Sequence, residues 1–378
     1  MKPDEITSTE ADALAEAQAL ARQAVGLTEP NPRVGCVILA ADGRVLGRGH
    51  TQPAGQAHAE VMALADAAAH GHDVRGATAV VTLEPCAHQG RTGPCCDALA
   101  SAGIARVVAS LRDPNPLVAG QGFARLRAAG VQVVEGPGAE ATRELNIGFI
   151  HRMTHGLPWV RLKVAASLDG RTALDNGASQ WITSPEARQD GHAWRLRAGA
   201  VLTGIGTVLD DDPLLDVRLV PAPAQPALVV VDSRLQLPNE ARLWGVQRPL
   251  IVYGAVADAA RQAELAARGA TVVLLPGPGG KVDLAALLQD LAARGINELH
   301  VEAGHKLNGS LLRAGLVNEL LAYLAPCLLG AGRPLAEIGT LARLDDRLVF
   351  DFTQVDRVGP DVRLLARARG PRPTPASN

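Results

Sequence analysis

Short aliphatic runs alternate with alanine-rich amphipathic segments along almost the whole chain. This alternation confines it to α/β architectures built on central sheets. Leu14, Ala17, Leu20 and Ala24 recur at helical spacing and predict a helix over 9–25, with Thr9 and Asp12 as its capping pair. Asn31-Pro32 ends that segment. Strands are expected over 34–39 and 44–49, joined by a turn at Asp42-Gly43. A helix over 58–69, a strand over 78–83, a helix over 95–102, a strand over 106–110, a helix over 122–129 and a strand over 131–135 continue the series. The pattern restarts near Gly156-Leu157-Pro158, with strands expected over 159–165, 200–203, 227–231, 250–253, 271–275 and 298–301. Helices are expected between several of them, such as 284–293. The proline-rich stretch 220–226 reads as a loop inside this half, and the tail 371–378 as disordered. At 378 residues the chain is more than twice an ordinary domain of ~150 residues. It divides into a domain over 1–152 and a larger one over 156–370.

Composition narrows the function classes. Aromatic residues make up 3% of the chain, so the core must be built from Ala, Val and Leu, and few platforms remain for stacking bases. The net charge is −2, with lysine only at positions 2, 163, 281 and 306. That argues against a basic face for nucleic acid, though not against one small phosphorylated ligand. No apolar run reaches the ~20 residues that span a bilayer. The longest, 320–332, is interrupted by Pro326 and reads as a buried strand and its turn. Asp4, Glu5 and Glu10 near the start do not suit a secretory signal. Five cysteines, an odd number, argue against a disulfide scaffold and for a reducing cytoplasm.

Cys86, Cys95 and Cys96 cluster within eleven residues. With His58, Cys86 and Cys95 supply the three protein ligands of a catalytic zinc site, and Glu60 adds a carboxylate two residues from the histidine. Residues i and i+2 diverge on a regular helix, so the arrangement requires His58 to stand at the start of its helix. Zinc lowers the pKa of a coordinated water toward ~7, and a carboxylate at Glu60 can carry the proton to a leaving amine. This matches the His-x-Glu and Pro-Cys-x-x-Cys pattern of zinc-dependent nucleobase deaminases, except that eight residues separate the cysteines instead of two. The inserted loop holds His88 and Arg91 and reads as substrate-contacting. A closed structural zinc site, with Cys96 or His88 as fourth ligand, is the alternative reading.

In the second half, Gly204-Ile205-Gly206-Thr207 follows a strand, where exposed N–H groups can cradle phosphate. Leu209 stands where a dinucleotide fingerprint needs its third glycine. Gly304-His305-Lys306-Leu307-Asn308-Gly309-Ser310 also follows a strand, but it lacks the ending of a Walker loop. Two such segments in one α/β domain suit a dinucleotide.

Asn31-Pro32-Arg33-Val34-Gly35, Ala54 to Glu60, Thr82 to Cys86 and Cys95 to Leu99 together resemble the pyrimidine deaminase domain of the riboflavin pathway. Asp113-Pro114-Asn115-Pro116 extends the likeness, and the lengthened cysteine loop is that subfamily's own pattern. Lys163 to Arg171, Ser179 to Thr183, Thr207 to Pro213 and Val301 to Gly304 resemble its partner reductase domain. The resemblance implies a cytidine-deaminase-like αβα domain followed by a dihydrofolate-reductase-like α/β domain that binds NADPH without the Rossmann fingerprint. It implies that Asn31, His88 and Asn115 contact the deaminase substrate. It further implies that Ala165, Trp181, Thr207, Asp211, Ser233 and 304–310 line the cofactor. Lys163, Ser179, Arg195, Leu215, Arg218 and Glu302 are then expected to line the reductase substrate. The expected enzyme is bifunctional, with zinc and NADPH as cofactors and phosphoribosyl pyrimidines as small-molecule substrates. It is expected to be a cytoplasmic homo-oligomer with no nucleic-acid or membrane partner. A polynucleotide deaminase with an appended domain, or a non-catalytic zinc protein, are the rival classes.

Overall fold

Aliphatic β-branched runs flanked by alanine-rich helices produce two separate α/β units in the computed structural model. They divide between Gly156 and Leu157. The structure describes residues 5–87, 93–116 and 118–369, so His88, Arg91 and the tail 371–378 lie outside the described residues.

The first unit runs α1 (Ser8–Gln23), β1 (Gly35–Leu39), β2 (Val45–His50), α2 (Ala59–Ala69), β3 (Thr78–Val81), α3 (Cys95–Ser101), β4 (Arg106–Ala109), α4 (Gln121–Ala128), β5 (Gln132–Glu135), α5 (Ala139–Leu145) and α6 (Ile147–His155). Its sheet has the order β2-β1-β3-β4-β5. The β1 strand is antiparallel to both neighbours, and β3, β4 and β5 are parallel. Period-two alternation sends Val37, Leu39, Val80, Val108 and Val134 to one face, against Ala13, Leu14 and Ala17 of α1. Cys36, Ile38, Ala79, Val81 and Val107 face α2, α3 and α4 on the other side. Small residues let these layers approach closely. A Cβ on Gly49 of β2 would stand 2.3 Å from the carbonyl oxygen of Ala59, so glycine there seats the first turn of α2. The cap of α1 differs from expectation. Thr7, not Thr9, is the N-cap and forms a reciprocal capping box with Glu10.

The second unit runs β6 (Trp159–Ser167), β7 (Arg171–Leu174), α7 (Pro185–Arg197), β8 (Ala200–Gly204), α8 (Ile205–Asp211), β9 (Ala227–Val231), β10 (Leu250–Gly254), α9 (Ala259–Ala267), β11 (Ala270–Leu274), α10 (Leu284–Ala293), β12 (Glu298–Val301), α11 (His305–Arg313), β13 (Glu319–Ala325), β14 (Gly332–Pro334), β15 (Phe350–Val358) and β16 (Asp361–Ala368). The main sheet has the order β11-β10-β9-β8-β12-β6-β13-β16-β15. Its first seven strands are parallel, and β16 and β15 form an antiparallel edge. Leu287, Leu288 and Leu291 of α10 and Leu311 and Leu312 of α11 cover one face. Leu265 of α9 and Ala187 of α7 pack on the other. That second face carries charge at its centre. Buried Arg161 donates from Nη1 to Glu298 (2.8 Å) and from Nε to Glu319 (2.6 Å). Among the described residues no helix is long and apolar enough to cross a membrane.

Candidate functional site

In the first unit, strand-end loops and helix starts converge on three donors. His58 is the N-cap of α2, with an extended backbone (φ −81, ψ 168). That non-helical conformation lets its imidazole and the side chain of buried Glu60 serve one site. Cys86 follows β3, and Cys95 opens α3, its N–H donating to Cys86 Sγ at 3.4 Å. His58 Nδ1 lies 3.5 Å from Cys86 Sγ and 3.4 Å from Cys95 Sγ, and the three donor atoms fall within 4.8 Å of one another. Two sulfurs and an imidazole at this spacing are a zinc donor set, and among the described residues no fourth ligand joins them. Cys96 is buried against the core with its thiol toward Asp97, which removes it as a fourth ligand.

The electrostatics suit proton traffic. Hydrogen bonding from Cys95, aided by His58, pulls the Cys86 thiol down to about 4, while the same contact and burial drive Cys95 upward. Burial, reinforced by the Cys86 charge, pushes the Glu60 carboxyl up to about 7. Such a group both takes and gives a proton near neutrality.

Asn31 lies half-buried in the turn before β1, its N–H on the Thr28 carbonyl. Asn115 stands in the loop after β4, its N–H on Asp113 Oδ1. What holds that loop was not anticipated. Buried Glu84, two residues before Cys86, accepts N–H groups from Asp113 (3.0 Å), Gly120 (2.9 Å), Gly122 (2.9 Å) and Phe123 (3.3 Å). The Glu-Pro-Cys run was visible, but nothing in it shows how many distant N–H groups the glutamate collects.

In the second unit, the carboxyl ends of the parallel strands open into a cleft of about 1740 Å³, the usual place for ligands in such sheets. Ala165, Trp181, Thr207, Asp211 and Ser233 line it, as do Lys163, Ser179, Arg195, Leu215, Arg218 and Glu302. Period two along β6 puts Arg161, Lys163 and Ala165 on one face, and the last two reach the cleft. Glu302 is gripped by Arg195, through Nε to Oε1 and Nη2 to Oε2 (3.0 Å), while Lys163 Nζ stands 3.6 Å away. Burial alone would raise this carboxyl, but the Arg195 and Lys163 charges hold it well below the usual range. Leu215 adopts a left-handed backbone (φ 50), held by Arg248 Nη1 on its carbonyl at 2.5 Å. Trp181 is exposed, not core, and the Arg188 guanidinium lies over its ring at 4.5 Å.

The 304–310 segment is not a loop. Gly304 is the N-cap of α11, and His305 onward is helical. Gly304, His305, Lys306, Leu307, Asn308 and Ser310 border the cleft. Gly309 instead packs on the main chain of Glu337, where a Cβ would come within 2.0 Å of its oxygen. Strand-then-glycine patterning does not separate a loop from a capped helix. Two further cleft residues, Arg188 and His192, were not anticipated. Their spacing to Arg195, four and then three residues along one helix, is the signal that marks them.

Comparison with known proteins identifies both units. Residues 7–111 match the family model of the cytidine and deoxycytidylate deaminase zinc-binding region, and residues 158–364 match that of the RibD C-terminal domain. The chain is 46% identical over 366 residues to the riboflavin biosynthesis protein RibD of Escherichia coli, covering 93% of this chain and 97% of that one. Among solved structures, Acinetobacter baumannii RibD aligns with a TM-score of 0.87 at 40% identity, over 96% of this chain and 99% of that one. A diaminohydroxyphosphoribosylaminopyrimidine deaminase/5-amino-6-(5-phosphoribosylamino)uracil reductase from Thermotoga maritima aligns at 0.85 and 31% identity, with the same coverage. The chain therefore belongs to the RibD family of riboflavin biosynthesis, bifunctional enzymes that join a zinc-dependent deaminase to an NADPH-dependent reductase.

Proposed function

We propose that the first unit hydrolyses the 2-amino group of 2,5-diamino-6-(5-phosphoribosylamino)pyrimidin-4-one. The second then reduces the ribosyl chain of the resulting aminouracil to ribityl. The observation that carries the reading is the three-donor set with a buried carboxylate beside it.

His58 Nδ1, Cys86 Sγ and Cys95 Sγ would hold the zinc, which when bound supplies a Lewis acid that makes water nucleophilic at neutral pH. Glu60 takes the water's proton on its carboxylate and returns it to the amine nitrogen, so that ammonia leaves and a carbonyl remains. Its pKa of about 7 suits both transfers. Asn31, Asn115 and His88 are the proposed contacts to the pyrimidine or ribose.

In the reductase cleft, bound NADPH would supply a hydride for the first ribosyl carbon, with the balancing proton drawn from solvent. Ala165, Trp181, Thr207, Asp211, Ser233 and the start of α11 are its proposed wall. Lys163 binds the sugar near its reducing carbon, with Glu302 beside it. Ser179, Arg195, Leu215 and Arg218 orient the remainder, and binding of the remote phosphate supplies energy for placing the reacting carbon. Free Cys86 and Cys95 fit a cytoplasmic setting, where thiols stay reduced. Exposed Phe352 and Val355 on edge strand β15 support self-association with a second copy.

The test gives the wild-type protein the diaminopyrimidine phosphate with NADPH and follows ammonia and NADPH together. Ammonia should appear first, with NADPH oxidation following after a lag. Simultaneous NADPH loss without ammonia would contradict the proposal.

A further inference from the structure

We infer that His192 is a substrate-positioning residue of the reductase cleft, anchoring Arg218 through one ring nitrogen and donating to the substrate phosphate through the other. The inference rests on the reductase reading above.

His192 lies on α7 with Arg188 four residues before it and Arg195 three residues after, and all three border the cleft. The residue is 4% exposed. Its Nδ1 accepts the main-chain N–H of Arg218 at 3.1 Å. A nitrogen that accepts from an amide carries no proton, so the neutral ring has its proton on Nε2. Burial first, then the charges of Arg195 and Arg218, hold the imidazole down to about 4, so it is neutral in use. Among the described residues Nε2 has no hydrogen-bond partner. Unlike both ring nitrogens of His300, it is not among the buried atoms cut off from a partner and from solvent. A ring that lines the cleft with one nitrogen fixed therefore presents the other as a donor.

The neighbouring cations explain why such a donor is needed. Arg195 spends Nε and Nη2 on Glu302 and Nη1 on the Asp216 carbonyl. Its charge is largely answered by the buried carboxylate. Arg218 is the freer cation, its guanidinium beside Asp216 and nearly half exposed. Among the described residues its main-chain N–H has one side-chain anchor, and that anchor is His192. Arg188, Arg195, Arg218, Asp216 and Glu302 are the charged groups around the ring. A neutral N–H donor among them adds a directed bond to a phosphate oxygen without adding repulsion to either arginine.

The test compares steady-state NADPH oxidation by the full-length wild type, His192→Asn, His192→Gln and His192→Leu on the deaminated phosphoribosyl substrate and on its dephosphorylated form. Asparagine places an oxygen where Nδ1 stands, keeping the Arg218 anchor but losing the long donor. Glutamine extends an amide N–H to about the reach of Nε2. For the phosphorylated substrate, His192→Asn should raise KM about 10- to 100-fold, the range for one hydrogen bond to a charged group, with kcat within about 2-fold. His192→Leu, which loses both anchor and donor, should raise it further, and His192→Gln, which keeps the donor but lacks the Nδ1 acceptor, should fall between wild type and His192→Leu. KM for NADPH and the ammonia-release activity should not move. On the dephosphorylated substrate, wild type and His192→Asn should agree within about 2-fold. An unchanged KM in His192→Asn, or an equal loss on both substrates, overturns the inference. Failure of wild type itself to oxidise NADPH on the phosphorylated substrate would instead overturn the reductase reading.

Discussion

The carboxylate of Glu84 accepts the main-chain N–H of Gly122 at 2.9 Å and fixes the first turn of α4 beneath the Pro85-Cys86 segment. A Cβ on Gly122 would stand 1.9 Å from the Pro85 carbonyl oxygen, so the two segments are in direct contact. Glu84 therefore couples the backbone of Cys86, a proposed zinc ligand, to the loop that carries Asn115. Replacing it with alanine leaves four N–H donors without their acceptor. Glu84→Ala should destabilise the first unit by about 2–4 kcal/mol and lower zinc retention, while NADPH oxidation on deaminated substrate stays near wild type. Denaturant unfolding with zinc analysis checks this, and an unchanged midpoint would contradict it.

The metal stoichiometry separates three ligands from four. Wild type should carry one zinc per chain, and Cys86→Ser and Cys95→Ser should lose it. Cys96→Ser should keep the metal and cost about 1 kcal/mol, because that thiol lies in the core beside Asp97. Loss of zinc from Cys96→Ser, measured by atomic absorption, would point to a closed structural site.

His192 also leaves a mark on stability against pH. Its folded value of about 4 lies below the ~6.5 of an unfolded histidine. Between those values the unfolded chain binds the extra proton, so stability falls as pH drops from about 6.5 toward 4. The contribution is fully present above pH ~6.5. Wild type should lose on the order of 2 kcal/mol more than His192→Gln across this window. Parallel pH profiles of the two proteins in urea would refute the assignment.

Much of this was legible in the sequence, for local reasons. Strands with aliphatic, β-branched runs, such as Leu228 to Val231, declare themselves through composition, and the strand expected over 227–231 is β9. The His58, Cys86 and Cys95 cluster was legible because the chemistry of a zinc donor set restricts residue type and spacing. The helices α5 and α6, the α7 helix and the β15–β16 hairpin were not anticipated. The α7 sequence is dominated by polar and charged residues, because its inner face meets Arg161 and the cleft beside a small apolar cluster around Leu321 and Tyr323. The β15 strand is exposed along most of its length and lacks an alternating apolar signal. Glu84 and His192 were missed for a different reason. Their partners are main-chain N–H groups distant in sequence, which carry no residue identity to read.

The Arg161 cluster gives a prediction outside either site. Arg161 is paired with Glu298 and Glu319, and the charges of those carboxylates outweigh the burial that would otherwise favour its neutral form. Arg161→Met removes the cation shared by buried Glu298 and Glu319, which keep Arg197 and Arg367 as their outer partners. It should cost about 3–5 kcal/mol, enough to abolish NADPH oxidation at elevated temperature, while ammonia release persists. A thermal series following both activities checks it, and equal survival of both would contradict it.

Two chemistries run on one chain, with Glu60 the proposed proton carrier of the first alone. The most direct measurement of this is Glu60→Gln assayed for both activities. Ammonia release from the diaminopyrimidine phosphate should fall by about 10²- to 10⁴-fold, with NADPH oxidation on the already deaminated substrate unchanged. Ammonia release at the wild-type rate, or loss of both activities together in a folded, zinc-loaded protein, would contradict the account.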